Sequence, residues 1–487
     1  MRNILRAFFL IALFSLFTTS IQAQTFDGVW ECQFATYDDD VNGTGLNTID
    51  VGAISDNEFI ALINASSKGA YYLVAYRDAD SANGRLSNIP YNQTLYQTVW
   101  ASGFDQVNME DANSMAVNQT DGKIFVANND VERNILVFQM GADDYESAEY
   151  RLPTSADYLW AIDVDAAGHV FVTVYDTANN VSSIRVYDNF ANEPAWSDPQ
   201  LTAPTVKHEI QVSGSGEARG IAVNDDGTAI WVSNFQDRSV QKFEGDFDGG
   251  YTKVDDFNYY NEAMVFDSTW SVDTVYAGPW GLSYLESNNL LFMAHDVSFR
   301  GNVGYTYGKI FTINPFTAEN LDTLDVYMWN YLQNDSSAYR IAVDSPGTAS
   351  GYVSVYNLDF DPSGNFYSQS YYGWTAEKWA YTGTLPVITS IEKDENTVPT
   401  EFSLTQNYPN PFNPTTTVEF SITETSTITM SMYSVTGELI SNMINAREYK
   451  PGVYKVTIDG SNLASGVYIY SIQAGNQKIS KKMTLLK

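Results

Sequence analysis

The chain has 487 residues, with 59 Asp and Glu against 26 Lys and Arg, for a formal net charge of −33. A field of that sign disfavours nucleic acid and anionic lipid and favours cations, although an acidic surface also serves solubility alone. Cys32 is the single cysteine, so an intramolecular disulfide is excluded and the residue reads as a small buried hydrophobe.

Arg2 and Arg6 precede an apolar run from Ala7 to Phe17, followed by small and polar residues up to Ala23. This is the order of a secretory signal peptide, and the run is well short of the ~20 residues a spanning helix needs. Residues 1–23 are expected to be removed, leaving Gln24 at the new N-terminus. Cys32 lies several residues past that site, which argues against a lipoprotein.

Asp38, Asp40 and Asn42, followed by Gly43, match the opening of a calcium loop, where hard oxygen ligands surround the ion and Gly permits a sharp turn. Position twelve is Ile49, so the bidentate Glu of such loops is missing. These three residues are the expected metal ligands, with calcium as the ion; the alternative is a solvated acidic loop.

One pattern then repeats. Each copy has a short apolar run, a turn with Asp, Asn or Gly, a second apolar or aromatic run, a polar loop and a third strand. The clearest runs from Gly220 to Gly227, then Ile230 to Asn234, then Ser239 to Phe243. Others span Ser114 to Phe138, Ala161 to Tyr187, Gly281 to Phe311, Asn357 to Tyr381 and, more degenerately, Val51 to Tyr76. The runs have strand length and the turns are short hairpin signals. A lone meander of this size cannot bury both faces, whereas sheets stacked around an axis bury each against the next.

The wording Ile221-Ala222-Val223-Asn224, then Val232-Ser233-Asn234, then Val240-Gln241-Lys242-Phe243 resembles NHL-type blades. That resemblance implies an all-β, six-bladed β-propeller over residues 24–384. Leu321 to Trp329 reads as an outer strand followed by a long loop. The strand Val29 to Phe34 is expected to close the ring as the outer strand of the last blade, with Leu385 to Ile391 as the competing segment.

Aligning the copies by their first strand gives a ring of residues just before it: Asp50, Asn113, Trp160, Arg219, Trp280 and Tyr356. The loops after the second strands, near Asn128, Asn234, His295 and Asp296, should reach the same end of the channel. Function in such folds sits on loops held by a rigid scaffold. Two tryptophans, a tyrosine, an arginine and amides suit stacking and hydrogen bonding to a glycan, a peptide or a surface protein; the alternative is packing between blades. No nucleophile elbow, HExxH, phosphate loop or paired Cys appears in the sequence, so no catalytic residue is assigned. Six-bladed lactonases bind a divalent cation in the channel through Glu, Asn and Asp from different blades, and Asn128, Asn234 and Asp296 are residues of that kind here, so a divalent-cation-dependent hydrolase is a second reading. A structural surface component is the third.

Residues 385–400 lose the repeat and become polar, as expected of a linker. The remaining stretch, 401–487, carries Tyr408-Pro409-Asn410-Pro411, then Gly466-Val467-Tyr468, and ends on Lys481, Lys482 and Lys487. That order is similar to the C-terminal sorting domain of type IX secretion cargo, a small immunoglobulin-like β-sandwich. The resemblance implies passage through the periplasm to the outer-membrane surface or the medium, recognition by the type IX translocon, and cleavage by its processing machinery near residues 390–400. It also implies that Tyr408 to Pro411 opens the sandwich, that Gly466 to Tyr468 lies in a late strand, and that the three lysines mark the terminal strand. From Val398 on, seven Lys and Arg face six Asp and Glu, so the acidic excess lies in the rest of the chain.

Overall fold

The computed structural model describes residues 26–487 apart from 36–45, 66–69, 77–95, 102–108, 110, 130–133, 140–144, 149–156, 190, 193–203, 261–263, 269–270, 276, 298–306, 334–353, 372–374, 389–390, 395–398, 438, 450, 461–462 and 476. The expected signal peptide and the Asp38, Asp40 and Asn42 loop lie outside the described residues. Two compact units divide the chain, Gly28–Gly383 and a second containing Thr384–Lys487.

The larger unit holds, among the described residues, six antiparallel sheets of at least four strands each. Their first strands are Leu46–Ser55, Ser114–Asn118, Asp157–Val164, Ala218–Val223, Ala277–Leu285 and Val355–Phe360, here blades 1 to 6. Neighbouring first strands lie side by side in chain order, and the sixth returns to the first, so the sheets close a ring about one axis. This is a β-propeller.

Local chemistry explains each blade. In blade 4 the turn between first and second strands is held by Asn224, whose Oδ1 accepts the Ala229 amide at 2.7 Å. Gly227 there has φ +68, a conformation that costs a side-chain-bearing residue energy. The second strand, Ala229–Asn234, is buried at every position, as expected for a strand covered on both faces. Apolar clusters then fill the gaps between blades: Ile60, Leu62, Ile124 and Val126 between blades 1 and 2, and Ile221, Val232, Phe171 and Ile184 between blades 3 and 4.

The N-terminal strand closes the ring. Trp30–Ala35 pairs with Thr375–Tyr381 as the outer strand of blade 6, with Trp30 opposite Tyr381. The Trp30 ring is edge-on to Phe366 of blade 6 at 4.7 Å and to Phe292 of blade 5 at 5.8 Å. One expectation needs correcting: the outer strand of blade 5 stops at Asp325, and Val326–Gln333 is an α-helix. Asp325 Oδ1 accepts the Met328 amide at 2.9 Å, a helix-initiating cap that ends the strand.

The smaller unit is, among the described residues, a sandwich of two four-stranded sheets. One contains Thr415–Ile422 and Gly452–Asp459; the other contains Ser426–Ser434, Gly466–Ala474 and, at its edge, Gln477–Leu485. Val418, Phe420, Met430, Val456, Tyr470, Ile472, Met483 and Leu485 form the core between them. Within the stretch read as linker, Ile391–Asp394 is a strand paired with Gly452–Asp459, and so it is an edge of the sandwich.

Candidate functional site

Five of the six first strands carry a bulge near their start. Their partner registers shift between Thr48 and Asp50, Leu159 and Ile162, Ala218 and Gly220, Pro279 and Leu282, and Val355 and Leu358. The residues left over include Ile49, Trp160, Arg219, Trp280 and Tyr356, each followed by a small or polar neighbour, Asp50, Ala161, Gly220, Gly281 and Asn357. A bulge re-aims its side chain out of the strand's alternation. In blade 2 Asn113 takes the place just before the strand. Of the six residues aligned from the sequence, Trp160, Arg219, Trp280 and Tyr356 occupy bulges and Asn113 precedes its strand; in blade 1 the bulged residue is Ile49, and Asp50 follows it in the strand.

The bulges bring neighbouring strands very close. A Cβ on Gly220 would lie 2.1 Å from the Trp280 carbonyl oxygen, and one on Gly281 would lie 2.1 Å from Asn357 Oδ1. Only residues without a side chain fit there. The close approach puts Arg219 beside the rings of three others: its guanidinium carbon is 4.0 Å from the Trp280 centroid, 4.4 Å from Phe235 and 4.7 Å from Trp160. Trp280 stacks on Tyr356 at 4.0 Å and 20°. Tyr158 stands edge-on to Trp160 at 5.4 Å. Blades 3, 4, 5 and 6 thus build a continuous row, Trp160, Arg219, Trp280 and Tyr356, across one end of the channel. All four are half-buried. Glu217 Oε2 accepts from Arg219 Nε at 2.6 Å and neutralises it; burial pulls the guanidinium pKa down and Glu217 opposes that shift. The indole N–H groups of Trp160 and Trp280 have no acceptor among the described residues.

Most of the polar residues proposed for this end have other duties. Asp50 Oδ1 accepts its own neighbour's amide, Val51, and Oδ2 accepts the amide of Met115 in blade 2, both at 2.7 Å. Asp163 does the same with Val164 and Val223 of blade 4, Asp296 with Val297 and Val355 of blade 6, and Asp359 with Phe360 and Ala53 of blade 1. These carboxylates are clamps between successive blades. Burial pushes the Asp50 carboxyl up to about 7 and Asp359 up to about 6. Side chains also tie four of the five bulges to the blade before: Asn113 Nδ2 donates to the Leu159 carbonyl at 2.8 Å, Thr173 Oγ1 to Ala218 at 2.8 Å, Gln369 Nε2 to Ile49 at 3.0 Å, and Ser233 Oγ to Trp280.

The second-strand loop residues lie deeper than expected. Asn128 and His295 are 0 % exposed and Asn234 is 1 % exposed. Asn234 Oδ1 accepts the Asp237 amide at 3.0 Å, and His295 Nδ1 is 2.7 Å from the Tyr307 hydroxyl. Burial, with help from Lys309, lowers the His295 pKa to about 3, so the ring is neutral. Asp50, Asn128, Asn234 and His295 are therefore corrected from surface contacts to buried scaffold. Asp296, the carboxylate proposed for a cation, is held by two amides, and among the described residues no group of three His, Cys, Asp or Glu is placed to hold a metal ion. Sequence reading missed Tyr158, Phe235 and Glu217. Glu217 and Tyr158 each stand two positions before a ring residue, a strand alternation that could have flagged them.

The opposite end of the channel is different in character. A cavity of about 450 Å³ opens there between the first turns of the blades, lined by Asp165, Asp225, Glu286, Asp361 and the clamp residues Asp163 and Asp359.

In the sandwich, Gly466, Val467 and Tyr468 begin the strand Gly466–Ala474, and Lys481 and Lys482 lie in the terminal strand Gln477–Leu485. Tyr408, which pairs with Thr417 of the opposite sheet, Pro409, Asn410 and Pro411 lead to Phe412, which pairs with the terminal strand; Asn410 Oδ1 accepts the Thr484 amide at 2.9 Å, and Lys487 follows the strand, donating its amide to Ser465 Oγ at 3.0 Å.

Solved structures similar to the chain include a gluconolactonase from Xanthomonas campestris (9 % identity, 76 % of this chain and 94 % of that one, TM-score 0.37), and a protein from Lactobacillus plantarum (8 %, 88 % and 98 %, 0.40). A calcium-binding protein, regucalcin, from Agrobacterium tumefaciens matches at 8 % identity over 75 % of this chain and 96 % of its own, with a TM-score of 0.34. Likeness at this level carries no argument about activity, and the propeller rests on the closed ring itself. No curated protein sequence matches. Residues 406–485 match the family described as secretion system C-terminal sorting domain. With the two-sheet sandwich that encloses them, these residues are a type IX sorting domain, and they mark the chain as cargo that interacts with the type IX machinery and is exported to the cell surface or the extracellular space.

Proposed function

We propose that the exported propeller is a binding protein that takes a neutral, hydroxyl-rich ligand, a glycan, over the row Trp160, Arg219, Trp280 and Tyr356. One observation carries the reading: four blades deliver a half-buried aromatic and guanidinium surface to a single channel end. The ligand class follows from charge. A cation has no place between those rings, because Arg219 already fills it. An anion meets an acidic protein and an arginine already neutralised by Glu217. A neutral sugar meets apolar ring edges and faces plus N–H donors, the mix that such pockets use to orient ligands. In this reading residues 1–23 are a cleaved signal peptide and the sorting domain is lost after transport.

The test is retention of the purified full chain on an array of neutral glycans, acidic glycans and peptides. Retention on neutral glycans that falls at least tenfold in Trp160→Ala supports the reading, provided Asp225→Asn with Glu286→Gln at the opposite mouth binds like the parent. Retention on peptides instead, or neutral-glycan retention that Trp160→Ala leaves unchanged, overturns it.

A further inference from the structure

Blades 6 and 1 meet at three polar side chains away from the aromatic row. Lys378 lies in the third strand of blade 6, opposite Tyr367. Its Nζ donates to Oδ1 of Asn57, in the turn between the first two strands of blade 1. The same Nζ stands 3.6 Å from Oδ2 of Asp361, in the matching turn of blade 6. The Lys378 and Asp361 side chains are 6 % and 0 % exposed. Tyr367 closes the group: its hydroxyl donates to Asp361 Oδ2 at 3.2 Å and is hydrogen-bonded to the Asn57 backbone. Its ring lies 4.8 Å from that of Phe59 in blade 1.

Neither the strand nor the turn demands this set. Lys242 holds the same place in blade 4, opposite Trp231, and pairs there with the exposed Glu244. Asn57 has φ +64, which accounts for an Asn at that turn but not for the lysine aimed at it. In blade 6 the amine faces a carboxamide, whose carbon Cγ lies one carbonyl bond, about 1.2 Å, beyond Oδ1. A primary amine, a carboxamide and a buried carboxylate held together supply what amide exchange needs: a nucleophile, an acyl donor and a proton carrier.

We propose that Lys378 and Asn57 join in an intramolecular isopeptide bond, with Asp361 carrying the protons. Lys378 gives one proton to Asp361, and the freed Nζ lone pair attacks Asn57 Cγ. The Nζ–Cγ bond forms, and the tetrahedral carbon then expels Nδ2 as the Cγ–Nδ2 bond breaks. Asp361 passes the two protons that Nζ loses to the departing nitrogen, which leaves as ammonium, and Asp361 ends as the carboxylate it began. No oxidant or cofactor is consumed. Asn57 is exposed, so the ammonium departs directly into water. The link joins residues 321 apart and lies beside the closing strand, where Phe34 is the register partner of Lys378. A cross-link over so long a loop restricts the unfolded chain, in a protein whose single cysteine allows no internal disulfide.

The experiment is mass spectrometry of the purified full chain, intact and after digestion. The parent is expected to weigh one ammonia less than its sequence and to yield a branched peptide joining the Asn57 and Lys378 segments. Lys378→Arg keeps the charge beside Asp361 and should lose both signs. Asp361→Asn keeps both partners and should lower the linked fraction at least tenfold. On a denaturing gel the parent should run ahead of Lys378→Arg, because a closed loop is more compact than an open chain. A parent of full sequence mass with no branched peptide overturns the proposal, and it decides the point whether or not the variants fold. Ammonia loss without the branched peptide also overturns it, since Asn57 closing on its own backbone gives that result. A linked fraction unchanged in Asp361→Asn overturns the part given to Asp361.

Discussion

Arg219 of blade 4 lies with its guanidinium carbon 4.0 Å from the Trp280 ring centroid of blade 5. In blade order Tyr356 stands on the other side of that tryptophan, stacked at 4.0 Å. The arginine therefore does for this end of the channel what an apolar side chain does for a core, while keeping a charge that Glu217 balances. Replacing it with Lys keeps the charge and loses the flat face that stacks. Arg219→Lys is expected to cost about 1 kcal/mol, and Arg219→Ala about 2 kcal/mol because Glu217 is then left half-buried and unpaired. Urea unfolding monitored by tryptophan fluorescence checks both values.

The clamp between Asp50 and the Met115 amide predicts a pH dependence. Burial raises the Asp50 carboxyl to about 7 in the folded chain, against about 3.9 unfolded. A carboxyl with a raised folded pKa contributes stability that is complete below the unfolded value and is lost as pH rises through the folded one. Asp359, raised to about 6, acts in the same direction. Asp50→Asn turns an N–H donor toward a position where two amides need acceptors, so the variant is expected to be about 2–3 kcal/mol less stable at pH 4. The gap between parent and variant should narrow between about pH 4 and pH 7, measured by denaturation at each pH.

Ring closure depends on Trp30, which is 4 % exposed and touches Phe366 and Phe292. Trp30→Ala is expected to cost about 3–4 kcal/mol, the range for deleting a buried aromatic. Because the lost contacts join the two ends of the propeller, limited proteolysis should accelerate first around Trp30–Ala35 and Thr375–Tyr381.

Release of the sorting domain is expected on the N-terminal side of Ile391. Cleavage beyond Asp394 would require the strand Ile391–Asp394 to peel away from Gly452–Asp459, and paired strands resist proteases that need extended chain. Mass spectrometry of the mature C-terminus checks this, with an end before Ile391 as the expected result.

Much of this architecture is written locally. The hairpin turn at Asn224 to Thr228 and the apolar runs on either side of it announce a blade without any tertiary information, and so the copies, their order and the closing strand at Trp30 are readable. The tail is readable because its short motifs sit in a fixed order. The channel end is only half readable. Trp160, Arg219, Trp280 and Tyr356 align in the repeat, but a bulge shifts side chains by one residue and leaves no compositional mark, so the alignment points to Asp50 where Ile49 stands. Burial hides the rest: Asn128, Asn234 and His295 follow second strands as loop residues would, yet neighbouring blades cover them. The helix at Val326–Gln333 escaped because it is eight residues long, too short for its period to register.

The location of the ligand is the point on which the functional account turns. Hydrogen–deuterium exchange of the full chain, with and without a glycan retained on the array, measures it directly. The account predicts slowed exchange in the bulged starts of the first strands, at residues 157–162, 217–220, 277–282 and 355–358. Slowing confined to the turns of the opposite mouth, at 165–168, 224–228 and 286–289, would contradict it.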